Sequence, residues 1–264
     1  MKNILVLLLM VSIVACQPNQ SADNNQQSEA QVATAPVTSH HSETISKIFE
    51  AHGGYANWAS MKQLSYMKGG ESTITNLENR KIKLVSDEMT VGFDGENVWV
   101  TPDTVDASRS RFYHNLYFYF YAMPFVVGDP GAFYEDVESM EIKGATYNGV
   151  KVSYGEGVGD SPDDFYIIWY NPETYKMEWL MYTVTFRSGE ANENYRLIKY
   201  DQWGDVEGVN LPTTIQWHTY EEGVVGDMRN EVLFEEIKLS TEAPSEDLFE
   251  MPEGAQIAPR PAAE

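Results

Sequence analysis

The side chains able to do chemistry are scattered along this chain. Glu221-Glu222 and Glu235-Glu236 are adjacent acidic pairs. A glycosidase needs two carboxylates about 5 to 10 Å apart across a cleft, and neighbours on an extended chain point to opposite faces instead. In GEGVGDSPDD, residues 155–164, Asp160, Asp163 and Asp164 could collect a calcium ion, but the spacing is not that of an EF-hand. The same stretch fails G-x-G-x-x-G, because Asp160 takes the last glycine position. Of the five histidines, His40 and His41 precede the first amphipathic segment and His52 closes it, while His114 sits in an aromatic run and His218 in an alternating one. No triad can be assembled from them. G-x-S-x-G, H-E-x-x-H, C-x-x-C and the Walker loop are all missing. The expectation is a protein without catalytic residues, metal ligands or a cofactor.

The single cysteine carries the clearest chemical signal. MKNILVLLLMVSIVACQ combines a basic residue, Lys2, an apolar run from Ile4 to Val14, and a small residue before Cys16, the make-up of a secretory signal. Ile13 to Cys16 resembles the bacterial lipobox, which implies cleavage before Cys16 and acylation of its thiol and new amino group. The apolar run falls short of the ~20 residues of a spanning helix. Cys16 is therefore expected to anchor the chain to a membrane, and Gln17 after it points to the outer membrane. With no second cysteine, no disulfide can form within the chain.

Charge narrows the partners. Eighteen Lys and Arg stand against forty Asp and Glu, a formal net charge of −22, so the surface repels nucleic acid phosphates and anionic headgroups. Nucleic acid is not an expected partner. Aromatic residues make up 12% of the chain, ample material for a core.

The elements that must position these groups follow from periodicity. Residues 17–38 are rich in Gln, Asn, Ser and Ala and cannot bury enough surface to offset chain entropy. Signal peptide 1–15 and a tether over 16–40 thus precede one domain, 41–254, and a fraying tail, 255–264. Ile45, Ile48, Phe49 and His52 recur at helical spacing, with Gly53 as a left-handed stop; a short second helix is expected around Trp58. Beyond Leu64 the chain reads as strands: KIKLVSDEMTVGF, DGENVWV, YNGVKVSY, FYIIWYNPETYKMEWLMYTVTF, NYRLIKYDQW, LPTTIQWHTY and MRNEVLFEEIKLS. Asp94-Gly95, Asn148-Gly149 and Asn171-Pro172 are expected hairpin turns. In TTIQWHTY, Ile215 and Trp217 face one way, Gln216 and His218 the other, as in a sheet wet on one side. The fold class is mainly β (α+β): a large curved antiparallel sheet, or half-open barrel, with a few covering helices.

RFYHNLYFYFYAMPFVV, Arg111 to Val127, holds eight aromatics between Phe112 and Phe125. Burying each is worth about 1.5 to 3 kcal/mol, so the run cannot face water. Phe112, Leu116 and Phe120 at spacing four suit a helix that stops before Pro124. Apolar nearly all round, it needs cover on more than one side, from protein, membrane or an apolar ligand. Membrane insertion fits least, since the run is short, rich in Tyr and contains His114 and Asn115.

The lipobox, AHGGYANW, VGFDGENVWV, DDFYIIWYNPETYKMEWL and the closing LFEMP together resemble the LolA/LolB-like envelope lipoproteins, in particular their uncharacterised lipidated branch, over roughly Glu43 to Pro252. That resemblance implies helices lidding a hydrophobic cavity in a half-open barrel. No ligand-gating arginine of LolA is matched. The expected function is an envelope lipoprotein binding or carrying an apolar, acyl-chain ligand, with Trp99, Phe112, Leu116, Phe120, Trp169 and Trp217 lining its cavity. The alternatives are an interaction protein docking an envelope partner, or an unrecognised hydrolase.

Overall fold

A computed structural model describes residues 40–155, 165–184 and 194–259. The signal peptide, Cys16, the tether up to residue 39 and the acidic loop with Asp160, Asp163 and Asp164 lie outside the described residues. The described chain opens with helix α1 (Glu43–Ala51), whose Ser42 side chain accepts from the Ile45 N–H at 3.2 Å, as an N-cap should. Ile45, Ile48, Phe49 and His52 are all buried, and Gly53 turns the chain at φ +104°. Helix α2 (Tyr55–Ser60) follows and buries Trp58.

Strands then run in two antiparallel sheets. The first contains β1 (Gln63–Lys68), β2 (Glu71–Asn76), β3 (Ile82–Val85), β4 (Thr90–Phe93), β5 (Val98–Thr101), β13 (Glu235–Ser240) and β14 (Gln256–Ile257), in the order β13-β1-β2-β3-β4-β5-β14. The second contains β6 (Ala132–Ile142), β7 (Ala145–Tyr154), β8 (Tyr166–Tyr170), β9 (Met177–Tyr182), β10 (Arg196–Val206), β11 (Val209–Glu221) and β12 (Val224–Leu233), in the order β12-β11-β10-β9-β8-β7-β6. The two sheets are joined by one residue. Phe234 alone separates β12 from β13; its N–H bonds to the Thr213 carbonyl and its ring stands against Tyr66 and Tyr121. The fourteen strands thus form an unclosed, curved run with one shared core on the inside, the architecture expected from the sequence.

Three local expectations need correction. Asp94-Gly95 and Asn171-Pro172 are turns, closed by backbone N–H groups donating to the Asp94 and Asn171 side chains. Asn148-Gly149, however, lies inside β7, and the turn before it is Lys143-Gly144. Gly149 is required there for another reason: a Cβ would sit 2.6 Å from both the Trp169 ring and Val137. The tail does not fray at residue 255, because Gln256 and Ile257 pair with β5 as β14. Nor is the outer face of the second sheet simply wet: Ile142, Tyr147, Trp169, Trp179, Met181 and Leu197 form a buried cluster of their own there. Among the described residues no helix is long and apolar enough to cross a membrane.

Candidate functional site

The aromatic run is helical, as expected, but broken. It forms α3 (Ala107–Tyr113), α4 (Leu116–Tyr121) and a 3-10 turn, Phe125–Gly128. Asp106 caps α3 through the Ser108 N–H, while His114 ends it, its Nδ1 2.5 Å from the Arg111 carbonyl oxygen. The buried side chains of α4 are Phe118, Phe120 and Tyr121, while Phe112 and Leu116 are half-buried, so the three residues at spacing four do not form one buried stripe.

This lid lies on both sheets. At its start Tyr113 donates to Glu71 Oε2 at 2.9 Å and accepts from Lys68 Nζ at 2.8 Å, while Lys68 and Glu71 Oε1 are 3.2 Å apart. The Lys68 ammonium also stands over the Tyr117 ring at 4.1 Å. In the middle, Tyr200 of β10 donates to the Phe120 carbonyl at 2.7 Å. At its end Arg80, in the turn after β2, bonds to both Asp129 oxygens at 2.6 Å and faces the Phe118 ring. The Gly128 carbonyl accepts from the Tyr55 hydroxyl, with His40 and His41 Nε2 also 3.0 Å away.

Two surfaces meet beneath the lid. One is an apolar mouth: Phe120 packs on Tyr182 and Trp217, Tyr117 on Trp217, and the Trp217 indole donates to the Tyr182 hydroxyl at 3.1 Å. Leu116, Tyr117 and Trp217 are only half-buried, so this edge of the core is reachable from solvent.

The other surface is polar and closed. Strand β2 turns Glu71, Thr73 and Thr75 inward at alternate positions, beside Tyr66 of β1 and Tyr121 of α4, whose ring centroids are 4.6 Å apart. All five residues are between 0 and 6% exposed. Yet Tyr66 Oη, Thr73 Oγ1, Thr75 Oγ1 and Tyr121 Oη have no hydrogen-bond partner among the described residues, while Glu71 Oε1 has only its ion pair with Lys68. The Tyr66 and Thr73 hydroxyls are near neighbours in a cross-strand pair, without the geometry of a hydrogen bond. Burial pushes the Tyr66, Tyr121 and Tyr113 hydroxyls well above the ordinary tyrosine pKa, so all stay protonated and poor proton donors. An unsatisfied buried polar group costs about 1 to 3 kcal/mol. The four hydroxyls together come within the range of a typical net stability of ~5 to 15 kcal/mol, so this row calls for polar atoms from outside the protein chain.

The six residues expected to line a cavity divide. Phe120 and Trp217 meet at the mouth, with Leu116 half-buried one helical turn before Phe120 on α4. Phe112 is half-buried on α3 and belongs to neither apolar cluster. Trp99 and Trp169 point the other way. Trp99 lies over Gly92 on the outside of the first sheet and donates to the Phe249 carbonyl at 3.0 Å, and Trp169 belongs to the outer cluster of the second. Both are removed from the candidate lining, because both faces of each strand are covered and alternation cannot say which is the core. His218 is likewise on the outer face, against Trp179 and 3.1 Å from the Gly226 carbonyl. The polar row was not foreseen, since ESTITN has no apolar alternation; its only sequence signal was β-branched Thr and Ile in a run bounded by Gly70 and Asn76.

No curated protein matches this chain. Among solved structures it is similar to a LolA superfamily protein from Nitrosomonas europaea, at 10% identity over 72% of this chain and 87% of the other, with a TM-score of 0.43. It is also similar to a DUF1329 family protein from Desulfovibrio piger, at 10% identity over 79% of this chain and 98% of the other, with a TM-score of 0.47. Residues 59–205, which include both the polar strand and the aromatic lid, match a further family over more than half of the chain: the protein belongs to DUF6503, a family of unknown function.

Proposed function

We propose that this protein binds and carries an apolar, acyl-chain ligand beneath the aromatic lid, held at the cell envelope through lipidated Cys16, at the outer membrane. One observation supports the reading above others: Leu116, Tyr117, Phe120, Tyr182 and Trp217 form a half-covered apolar edge between a lid of short helices and the inner sheet face. Rings so placed exclude water and shape a slot for a chain without forming directional bonds to it. We assign the lid no reaction: the Tyr113 hydroxyl, its best-placed acid, is pushed the wrong way for proton transfer by burial and by Glu71.

Mature protein purified from membranes should release an acyl-chain lipid in native mass spectrometry. Delipidated protein should show quenching of Trp217 emission by a brominated acyl chain, reduced at least several-fold by Phe120→Ala. If no lipid co-purifies and brominated chains leave tryptophan emission unchanged, the carrier reading is wrong. Partner docking is the second reading, supported by β12, an edge strand that exposes Val224, Met228 and Leu233. It predicts a stable envelope complex lost on Met228→Lys.

A further inference from the structure

The orphaned row under the lid carries more than the carrier reading, on which it rests. Its four orphaned atoms are hydroxyls, each able both to donate and to accept, and the Glu71 carboxylate beside them is already paired with Lys68. Along β2 the three inward positions recur every ~6.6 Å, with Tyr66 opposite Thr73 across the ladder. The row therefore suits a head group with several polar atoms rather than one. It begins at Glu71 beside the mouth, since Lys68 touches both Glu71 and the Tyr117 ring, and Tyr117 touches Trp217. A chain lying in the mouth thus has its polar end within reach of the row.

Charge decides the class of head group. The cations near the row are already matched: Lys68 by Glu71 and the Tyr113 oxygen, Arg80 by the Asp129 carboxylate. Arg80 keeps one unpartnered nitrogen, Nη1, which suits a carbonyl or hydroxyl oxygen. A carboxylate or phosphate head would bring an unmatched negative charge into a buried site beside Glu71, at high desolvation cost. An uncharged head brings donors and acceptors without that cost.

We propose that Tyr66, Glu71, Thr73, Thr75 and Tyr121 form a head-group subsite that selects uncharged, hydroxyl- and ester-bearing amphiphiles of the acylglycerol class over fatty acid anions.

The test compares 1-palmitoylglycerol with palmitate at pH 8, on the full mature chain, by competition against a brominated acyl probe. The inference expects the acylglycerol to bind at least about tenfold more tightly. Thr73→Val with Thr75→Val keeps side-chain shape and removes two of the hydroxyls, and should bring the ratio of the two affinities close to one. Tyr121→Phe, which removes one hydroxyl and no packing, should lower the ratio part of the way and serves if the double variant does not fold. Equal binding of both lipids by the unaltered chain, a preference for palmitate, or a ratio indifferent to these changes would overturn the subsite while leaving the carrier reading standing. Binding of neither lipid would remove both.

Discussion

Gly149 and His52 show how single residues in this chain answer to tertiary contacts rather than to local conformation. Gly149 sits in a strand where its missing side chain makes room for the Trp169 ring and Val137. Gly149→Ala should cost about 1 to 3 kcal/mol by overpacking, read as a lower urea midpoint, whereas the same change at a turn glycine of open surroundings such as Gly144 would act through its φ of +84° alone. His52 is fully buried, its Nδ1 2.7 Å from the Ile48 carbonyl and its ring against Trp203. Burial lowers its pKa from 6.5 to about 4, with the Ile48 carbonyl opposing and the Lys176 charge adding to the shift. The unfolded chain takes up this proton near 6.5, so between about 4 and 6.5 it holds more protons than the folded one. Stability from this residue is thus complete above pH 6.5 and is lost as pH falls toward 4, roughly 3 kcal/mol over the window. Chemical denaturation as a function of pH should show the difference: His52→Gln, which can still bond to the Ile48 carbonyl, is expected to have a flatter profile there.

At the scale of elements, the lid and strand β2 differ in how far they could be read from sequence. The helical character of the aromatic run was legible because Tyr, Phe and Leu at spacings of three and four mark a helix under any cover. Its break at His114-Asn115 was not, since that depends on which sheet each half rests on. Strand β2 was invisible because its inward positions carry Glu71, Thr73 and Thr75 where a core strand has apolar residues. Their presence makes sense only with the lid above them. The link between the two elements is the Lys68, Glu71 and Tyr113 set. Tyr113→Phe removes the shared hydroxyl and leaves the partly buried Lys68 and the buried Glu71 with one partner fewer each, which should destabilise the protein by about 1 to 3 kcal/mol. Hydrogen exchange should localise the effect, with faster exchange across residues 107–128 and little change in β8 to β10. Uniform acceleration throughout the domain would mean that the lid is not a separate unit.

For the whole molecule, the decisive position is Phe234. It is the sole residue between β12 and β13, and its ring stands against both Tyr66 of the first sheet and Tyr121 of the lid. Phe234→Ala should cost about 3 to 5 kcal/mol and weaken the coupling of the two sheets, so that tryptophan emission and far-ultraviolet circular dichroism no longer report one transition. The sequence by itself determined the class of the molecule. Alternation of β-branched and aromatic residues marked antiparallel strands, Asp94-Gly95 and Asn171-Pro172 marked two of the turns, and helical spacing marked α1 and the lid, because each of these signals is local and repeats over a few residues. Only the tertiary structure decided which faces became interior. Trp99 and Trp169 turned outward, Trp217 and Phe120 met at one edge, and a row of threonines and tyrosines was closed in without partners. Those outcomes depend on contacts between strands far apart in the chain, and the period of a single strand tells its two faces apart without saying which of them another element will cover.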